Sequence, residues 1–245
     1  MPKFEFYNFE SVSSTNDKAM EFAGKGQYNL VVTAKKQEKG RGRFGRDWSS
    51  GLGGLYMTIL LKEKNISMVK YLTFIASIAV AKSIIDFCNL KAEVKWPNDV
   101  LVNDRKVCGI LTETISGKEN YAMVGIGVNA NNNKFPASVK NKATSLKLET
   151  NKAYSLEKLG KSIIAIFSSL YHYYENKNYK KIIGLWKNYS HTLGKRLKAK
   201  TLNGDFVGKA VDVDDECSLV LRLDDGSVKK IIEADIFIEN FARNF

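Results

Sequence analysis

Two stretches of the chain carry apolar residues at helical spacing. Residues 68–88 place Leu72, Ile75, Ala79 and Ile84 in register, and this period predicts a buried helix. Residues 156–174 set Leu156, Leu159, Ile163, Ile166, Phe167 and Leu170 on one face, which predicts an amphipathic helix. Around them lie shorter apolar runs of strand length. Residues 30–34, 55–61 and the glycine-rich 121–129 are read as strands, and residues 92–115 as two strands joined by a turn at Asn103-Asp104. Residues 11–23 are read as a strand end running into a helix capped by Thr15 or Asn16. Residues 129–145 are polar, with Asn129 and Asn131, Asn132 and Asn133 at their start, and are read as a loop.

From about residue 193 the pattern changes. Short apolar runs alternate with the turn sequences Asn203-Gly204, Asp214-Asp215 and Asp224-Asp225-Gly226, as in a small β-barrel. The expected organisation is therefore a mixed α+β domain over residues 1–192 and an all-β barrel over 193–245. A chain of 245 residues has room for one sizeable core and such an appendage. No apolar run is read as approaching the roughly 20 residues of a membrane span. The first residues, MPKFEFYNFESVSSTND, lack a basic-then-apolar export pattern. Cys88, Cys108 and Cys217 are scattered and suit neither a disulfide framework nor a paired zinc motif. A reducing, cytoplasmic setting is expected.

The formal net charge of +12 suits phosphate binding or the steering of an anionic partner. However, 31 of the 38 basic residues are lysines spread singly, without a basic face interleaved with aromatics, so nucleic-acid binding is not expected. Against that background the arginines are informative. Arg41, Arg43 and Arg46 fall within six residues, where a planar fork matches carboxylate or phosphate oxygens better than an ammonium does.

These arginines sit among Gly40, Gly42 and Gly45, which spell G-x-G-x-x-G after a strand. In a dinucleotide-binding fold a helix would follow, but Arg46-Asp47-Trp48-Ser49-Ser50-Gly51 is not a helical sequence, and no βαβ repeat succeeds it. The lysine and hydroxyl of a P-loop are also missing. The better reading is a flexible loop whose backbone and arginines wrap an anion.

Lys95-Trp96-Pro97-Asn98-Asp99 is followed by Lys106-Val107-Cys108-Gly109-Ile110-Leu111-Thr112-Glu113. With Ser14-Thr15-Asn16, the glycine–arginine loop through Trp48, Gly54-Leu55-Tyr56 and Val124-Gly125-Ile126-Gly127-Val128-Asn129, this order resembles the biotin–protein ligase family over nearly the whole chain. The resemblance implies a mixed-sheet catalytic domain related to class II synthetase and lipoate ligase folds, with a C-terminal SH3-like β-barrel. It implies that biotin and ATP, with Mg²⁺, form biotinyl-AMP and pyrophosphate. The biotin then passes to a lysine of the biotin carboxyl carrier domain of a biotin-dependent carboxylase.

The chemistry behind that resemblance asks for cations, because a carboxylate must approach a triphosphate in a site with little water. Arg41, Arg43, Arg46, Lys95 and Lys106 supply them. By resemblance, Ser14, Thr15 and Gln37, with Asn16 beside them, meet the ureido ring. Trp48 is an apolar wall, and Gly40, Gly42 and the backbone near Arg41 and Gly109 close the pocket. Lys106 meets the reacting carboxylate and phosphate, and Arg43 retains the adenylate, so Lys106, Arg43 and Arg41 are the expected catalytic set. Lys95, Asn98 and Asp99 face the phosphates, Asp99 and Asn98 are the candidate magnesium ligands, and Asn129 contacts adenine.

Three departures from the family pattern stand out. No winged-helix segment precedes the motifs, so transcriptional repression is not expected. Lys142-Ala143-Thr144-Ser145 stands where some relatives place a tryptophan near adenine, and Cys217 replaces a common turn glycine, read as neutral. A lipoate–protein ligase of the same fold and a basic nucleic-acid-binding protein are the alternatives. Monomer and homodimer both stay open.

Overall fold

The computed structural model describes residues 3–238. The chain runs through β1 (Glu5–Val12), α1 (Thr15–Gly24), β2 (Leu30–Gln37), β3 (Leu55–Glu63) and α2 (Lys70–Cys88). It continues with β4 (Ala92–Lys95), β5 (Asp99–Val102), β6 (Arg105–Ile115) and β7 (Asn120–Val128). Three helices follow: α3 (Leu146–Thr150), α4 (Leu156–Glu175) and α5 (Tyr179–Asn188). The last strands are β8 (Arg196–Thr201), β9 (Gly204–Val213), β10 (Leu219–Leu223), β11 (Val228–Ile231) and β12 (Asp235–Ile238).

Seven strands form one mixed sheet in the order β1-β2-β3-β7-β6-β5-β4, parallel only between β1 and β2. Its centre is covered on both faces, which is why β3 and β7 read as almost unbroken apolar runs. On one face α1 buries Ala19 and Ala23 against Leu30, Val32, Leu60, Tyr121 and Met123. On the other, α2 is sandwiched between the sheet and α4 and α5, with Phe74 stacked on Trp186. The α+β class expected from the pattern is what forms.

One expectation about α2 is corrected. The segment Ile66–Cys88 has 23 residues with a mean hydropathy of 1.6, enough by length and composition to cross a membrane. Two layers of protein enclose it instead, and Leu72, Ile75, Ala76, Ala79, Val80 and Ala81 are all fully buried. A helix covered on both sides has no reason to be amphipathic.

Four further details differ from the sequence reading. The cap of α1 is Ser14, whose hydroxyl accepts from Asn16 N at 3.2 Å, so Thr15 and Asn16 lie inside the first turn. Residues 92–115 form three strands rather than two, because a turn at Trp96, Pro97 and Asn98 separates β4 from β5. The expected turn at Asn103 and Asp104 is present, both residues having positive φ, as a tight hairpin requires. Strand β1 and helix α5 had no clear signal: β1 is a largely exposed edge, and α5 buries only Ile182, Ile183 and Trp186.

The second sheet is antiparallel, in the order β11-β10-β9-β8-β12. Its inner residues, including Leu197, Val213, Leu219 and Ile236, join the same apolar cluster as the main sheet. Trp96 fastens the two parts. Its backbone N–H donates to Thr192 Oγ1 and its indole to the Cys217 carbonyl, both at 2.9 Å. Cys217 itself holds φ at 61°, in the left-handed region that favours glycine, so its turn position is a mild strain rather than a neutral exchange. Of the expected domain 193–245, residues 239–245 lie outside the described residues.

Candidate functional site

The loop after β2 folds into a small hairpin over the central strands β6 and β7 of the main sheet. Gly42 N donates to Arg46 O at 2.7 Å, Trp48 N donates to Gly40 O at 2.8 Å, and Arg41 bridges to Asp47. Only a single 3-10 turn, Arg43–Gly45, follows the first two glycines, so no dinucleotide-binding helix forms. Gly40 is required for the closure. A Cβ there would lie 2.3 Å from Ser50 Oγ and 2.6 Å from the Trp48 carbonyl.

Behind the loop runs a chain of hydrogen bonds through the first turn of α1. Ser50 Oγ donates to the Trp48 carbonyl and accepts from Gln37 Nε2 at 2.8 Å. Gln37 Oε1 accepts from both the backbone N–H and the hydroxyl of Thr15, at 2.8 and 3.0 Å. The buried Thr58 hydroxyl lies 2.8 Å from that of Thr15 and 2.6 Å from Asn16 Oδ1. Asn16 Nδ2 in turn donates to Glu113 Oε2 at 2.6 Å.

Arg41 ends this chain. It grips Glu113 with Nε and Nη2 at 3.2 and 3.0 Å and Asp17 with Nη1 at 2.6 Å. Burial alone would lower its pKa, but these two carboxylates outweigh burial and raise it. Arg41 therefore braces the loop against the sheet in this state.

The floor of the site is glycine. Gly109 and Gly127 are paired across β6 and β7, and Gly125 lies two residues along. A Cβ on Gly127 would sit 2.5 Å from Trp48 Nε1, one on Gly109 3.0 Å from Trp48 Cζ3, and one on Gly125 2.5 Å from Asn16 Oδ1. The indole of Trp48 thus lies flat on bare backbone, with its N–H buried and lacking a hydrogen-bond partner among the described residues. Lys106 Nζ is 5.3 Å from the Trp48 ring and 2.5 Å from Asp99 Oδ1.

On the far side of Lys106, residues 142–144 run beside β6. Lys106 N donates to Lys142 O and Thr144 N donates to Lys106 O, at 2.8 and 2.9 Å. Asn129 closes the end of β7, its N–H donating to Val107 O at 2.8 Å. The short sequence Ala143-Thr144-Ser145 is therefore packed against the lysine strand, with Thr144 and Ser145 fully buried. Lys95 is half-buried. Burial lowers its pKa, with Asp99 opposing and Lys106 reinforcing the shift.

Arg43 and Arg46 turn away from the glycine floor towards the second sheet. Arg43 Nη2 donates to Glu233 Oε1 at 2.9 Å, and Nη1 reaches Asn98 Oδ1 at 3.3 Å and Ala234 O at 3.4 Å. Arg46 forks onto both oxygens of Asp235, with Nη1 2.9 Å from Oδ1. Between the two guanidinium groups lies Phe44, half exposed, at the left-handed tip of the loop.

The sequence-predicted residues thus fall into one region, divided by task. Thr15, Asn16, Gln37 and Gly40 form the polar rear, with Ser14 capping α1 beside them. Trp48, Lys106 and Gly109 form the floor and its cover, with Asn129 at the end. Asn98 and Asp99 lie where Arg43 and Lys106 reach them. Sequence reasoning missed Asp17, Ser50, Thr58, Glu113, Gly125, Gly127, Glu233 and Asp235. The Gly-x-Gly of β7 carried a usable signal, since glycine inside a strand marks a close approach. The carboxylates carried none, because only folding brings them to the arginines.

No cluster of three or more His, Cys, Asp or Glu side chains able to hold a metal occurs among the described residues. Among the described residues Asp99 is the one carboxylate paired with Lys106, and both ends of the Asn98 amide are engaged, with Arg43 and with the Ile110 carbonyl. That donor set suits a magnesium ion that keeps waters and substrate phosphates as most of its ligands.

Residues 8–131 match the Biotin/lipoate A/B protein ligase family, and residues 192–238 match the Biotin protein ligase C terminal domain. The chain is 36% identical over 232 residues to the bifunctional ligase/repressor BirA of Bacillus subtilis, covering 92% of this chain and 71% of that protein. It is 31% identical over 217 residues to the biotin–[acetyl-CoA-carboxylase] ligase of Paracoccus denitrificans, covering 85% and 90%. Among solved structures, the biotin protein ligase from Aquifex aeolicus in complex with biotin and ATP superposes with a TM-score of 0.84 at 27% identity. That match covers 96% of this chain and 98% of the other.

Proposed function

The chain belongs to the biotin/lipoate A/B protein ligase family, and from that premise we propose that it activates biotin with ATP and transfers it to a lysine of a biotin carboxyl carrier domain. The observation that carries this reading is the glycine floor of Gly109 and Gly127, with the Trp48 indole on it and Lys106 Nζ at its edge. A bare backbone floor admits a flat ring, an indole covers it, and a lysine at the edge meets a carboxylate. The polar pair Thr15 and Gln37 lies on the opposite side, where a ureido group finds a donor and an acceptor. A lipoyl ring has no use for that pair, which favours biotin over lipoate.

In this reading residues 1–192 are the catalytic domain and residues 193–245 a barrel that shares the nucleotide side. Biotin enters by lifting Trp48. Its carboxylate meets Lys106, which exchanges its partner Asp99 for the two reacting anions. Lys95 faces the polyphosphate, and Asn129 and residues 143–145 border the adenine. Asp99, with Asn98 beside it, would hold Mg²⁺, which would neutralise phosphate charge when bound. No covalent bond to the protein is needed, since placing the two anions among fixed cations supplies the acceleration. Arg43 then retains the acyl-adenylate until the carrier lysine attacks its carbonyl and AMP departs. The setting is cytoplasmic, where carrier and ATP are both present.

The deciding experiment is ATP–pyrophosphate exchange with biotin and with lipoate, followed by transfer of labelled biotin to a purified carrier domain. Exchange with lipoate alone, or labelled nucleic acid retained on a filter without any exchange, would move the assignment to one of the alternatives.

A further inference from the structure

The two loop arginines that the chemistry needs for an anion are already in use. Arg43 and Arg46 lie three positions apart; Arg43 meets Glu233 in the short segment joining β11 to β12, and Arg46 meets Asp235 at the start of β12. Arg43 also spans from Asn98 Oδ1 to the Ala234 carbonyl, so its guanidinium forms a bridge across the entrance beside Asp99 and Lys106. We propose that Glu233 and Asp235 are a counter-ion latch, holding the arginine loop on the second sheet until a nucleotide polyphosphate takes the arginines over. The proposal rests on the reading of the site as an ATP-dependent ligase and adds the residues that govern nucleotide entry.

Three features support a latch over a permanent brace. First, both pairs are partly exposed: Glu233 and Arg46 leave 55% and 62% of their side chains in water. Ion pairs of that kind hold weakly and exchange partners readily. Second, the brace already exists elsewhere, in the Arg41 pairs with Glu113 and Asp17, so the loop base is held independently of the pairs at its tip. Third, Phe44 at the tip is held mainly by the two guanidinium faces, at 4.7 and 5.6 Å, and moves with them. A polyphosphate carries several charges where each carboxylate carries one, and arginine forks bind phosphate in the same bidentate manner.

The test is the double variant Glu233→Gln/Asp235→Asn in the full chain, set beside the unaltered protein. With no ligand, tryptic cleavage after Arg43 and Arg46 should quicken by about two- to tenfold, because cleavage follows the population of the opened loop. Raising the ionic strength should quicken cleavage in the unaltered protein and change the variant little. This arm needs no substitution, so it stands even if the variant folds poorly. Equilibrium affinity for ATP should rise by about two- to fivefold, with biotin affinity unchanged.

Unchanged cleavage in both arms would overturn the latch. So would faster cleavage with weakened ATP affinity, since the carboxylates would then be placing the arginines for the nucleotide. Cleavage is read on the free protein and judges the latch by itself. Failure of the unaltered chain to exchange pyrophosphate with biotin would defeat the functional reading alone.

Discussion

Arg41 turns Nε and Nη2 onto the two carboxylate oxygens of Glu113, 72 residues away, at 3.2 and 3.0 Å. This fork joins the loop to β6, and with Asp17 it ties in α1 as well. Arg41→Ala should therefore lose stability besides activity. Hydrogen bonds to charged groups contribute about 1.5–3 kcal/mol, and exposure of nearly a third of both side chains trims the expected loss to roughly 1–2 kcal/mol. Urea unfolding measures it. Arg41→Lys keeps the charge and loses the fork, so it should recover less than half; full recovery would show that charge alone matters.

Gly127 is the most exposed weakness of the floor. A methyl group there would meet Trp48 Nε1 at 2.5 Å and Cε2 at 2.8 Å, so the indole must leave its seat. The same methyl stands where a biotin ring would lie once the indole lifts, and overpacking of about 1–3 kcal/mol against that ring should make Gly127→Ala weaken biotin binding by roughly 5- to 100-fold. Trp96 and Trp186 are fully buried elsewhere, so a change in tryptophan fluorescence on adding biotin reports Trp48. Gly24→Ala, with nothing within 4 Å, is the control. Equal biotin affinity in both variants would remove Trp48 from the pocket cover.

Lys106 and Arg43 should fail at different steps. In the proposed site, removing the Lys106 cation would take a preorganised partner from between two reacting anions, at a cost of about 3–4 kcal/mol or roughly 10²–10³ in rate. Lys106→Ala should slow adenylate formation far more than it weakens biotin binding. Arg43→Gly should still form the adenylate and release it roughly 10- to 100-fold faster, labelling lysines on unrelated proteins. Mass spectrometry of a mixed-protein reaction separates the two. An Arg43→Gly protein as selective for the carrier as the unaltered chain would rule out retention by this residue.

Lys95 gives the site a pH dependence of definite sign. Burial lowers its pKa from the ordinary 10.5. Below its pKa the side chain is a cation, placed in the proposed site to face the phosphates, and as pH rises through that value the charge is lost. ATP affinity should thus fall at a lower pH than exposed lysines would dictate. Lys95→Arg keeps its charge and should move the fall upwards. A pH profile identical in both proteins would show that another group controls nucleotide binding.

How much of this was legible before folding depends on the range of the interactions involved. The pattern at 68–88 and 156–174 foretold α2 and α4 because helical burial is written in local spacing. The motif residues Lys95, Asn98, Asp99, Lys106 and Gly109 were legible through their resemblance to the family motif, and they stay together in the fold because β4, β5 and β6 are consecutive and paired in turn. The burial of α2 was read correctly as well, although its length and composition would equally suit a helix enclosed by lipid.

The sequence by itself determined helices α1, α2 and α4, the hairpin at Asn103-Asp104, the concentration of arginines in one loop and the glycines of β7, all consequences of local spacing and backbone freedom. Only the tertiary structure decided what those arginines touch. Arg41 finds Glu113 because β6 lies near α1 across the sheet, and Arg43 finds Glu233, 190 residues on, because the second sheet packs against the corner at Trp96. A charge has no periodicity and acts through space, so its partner is set by the path of the chain.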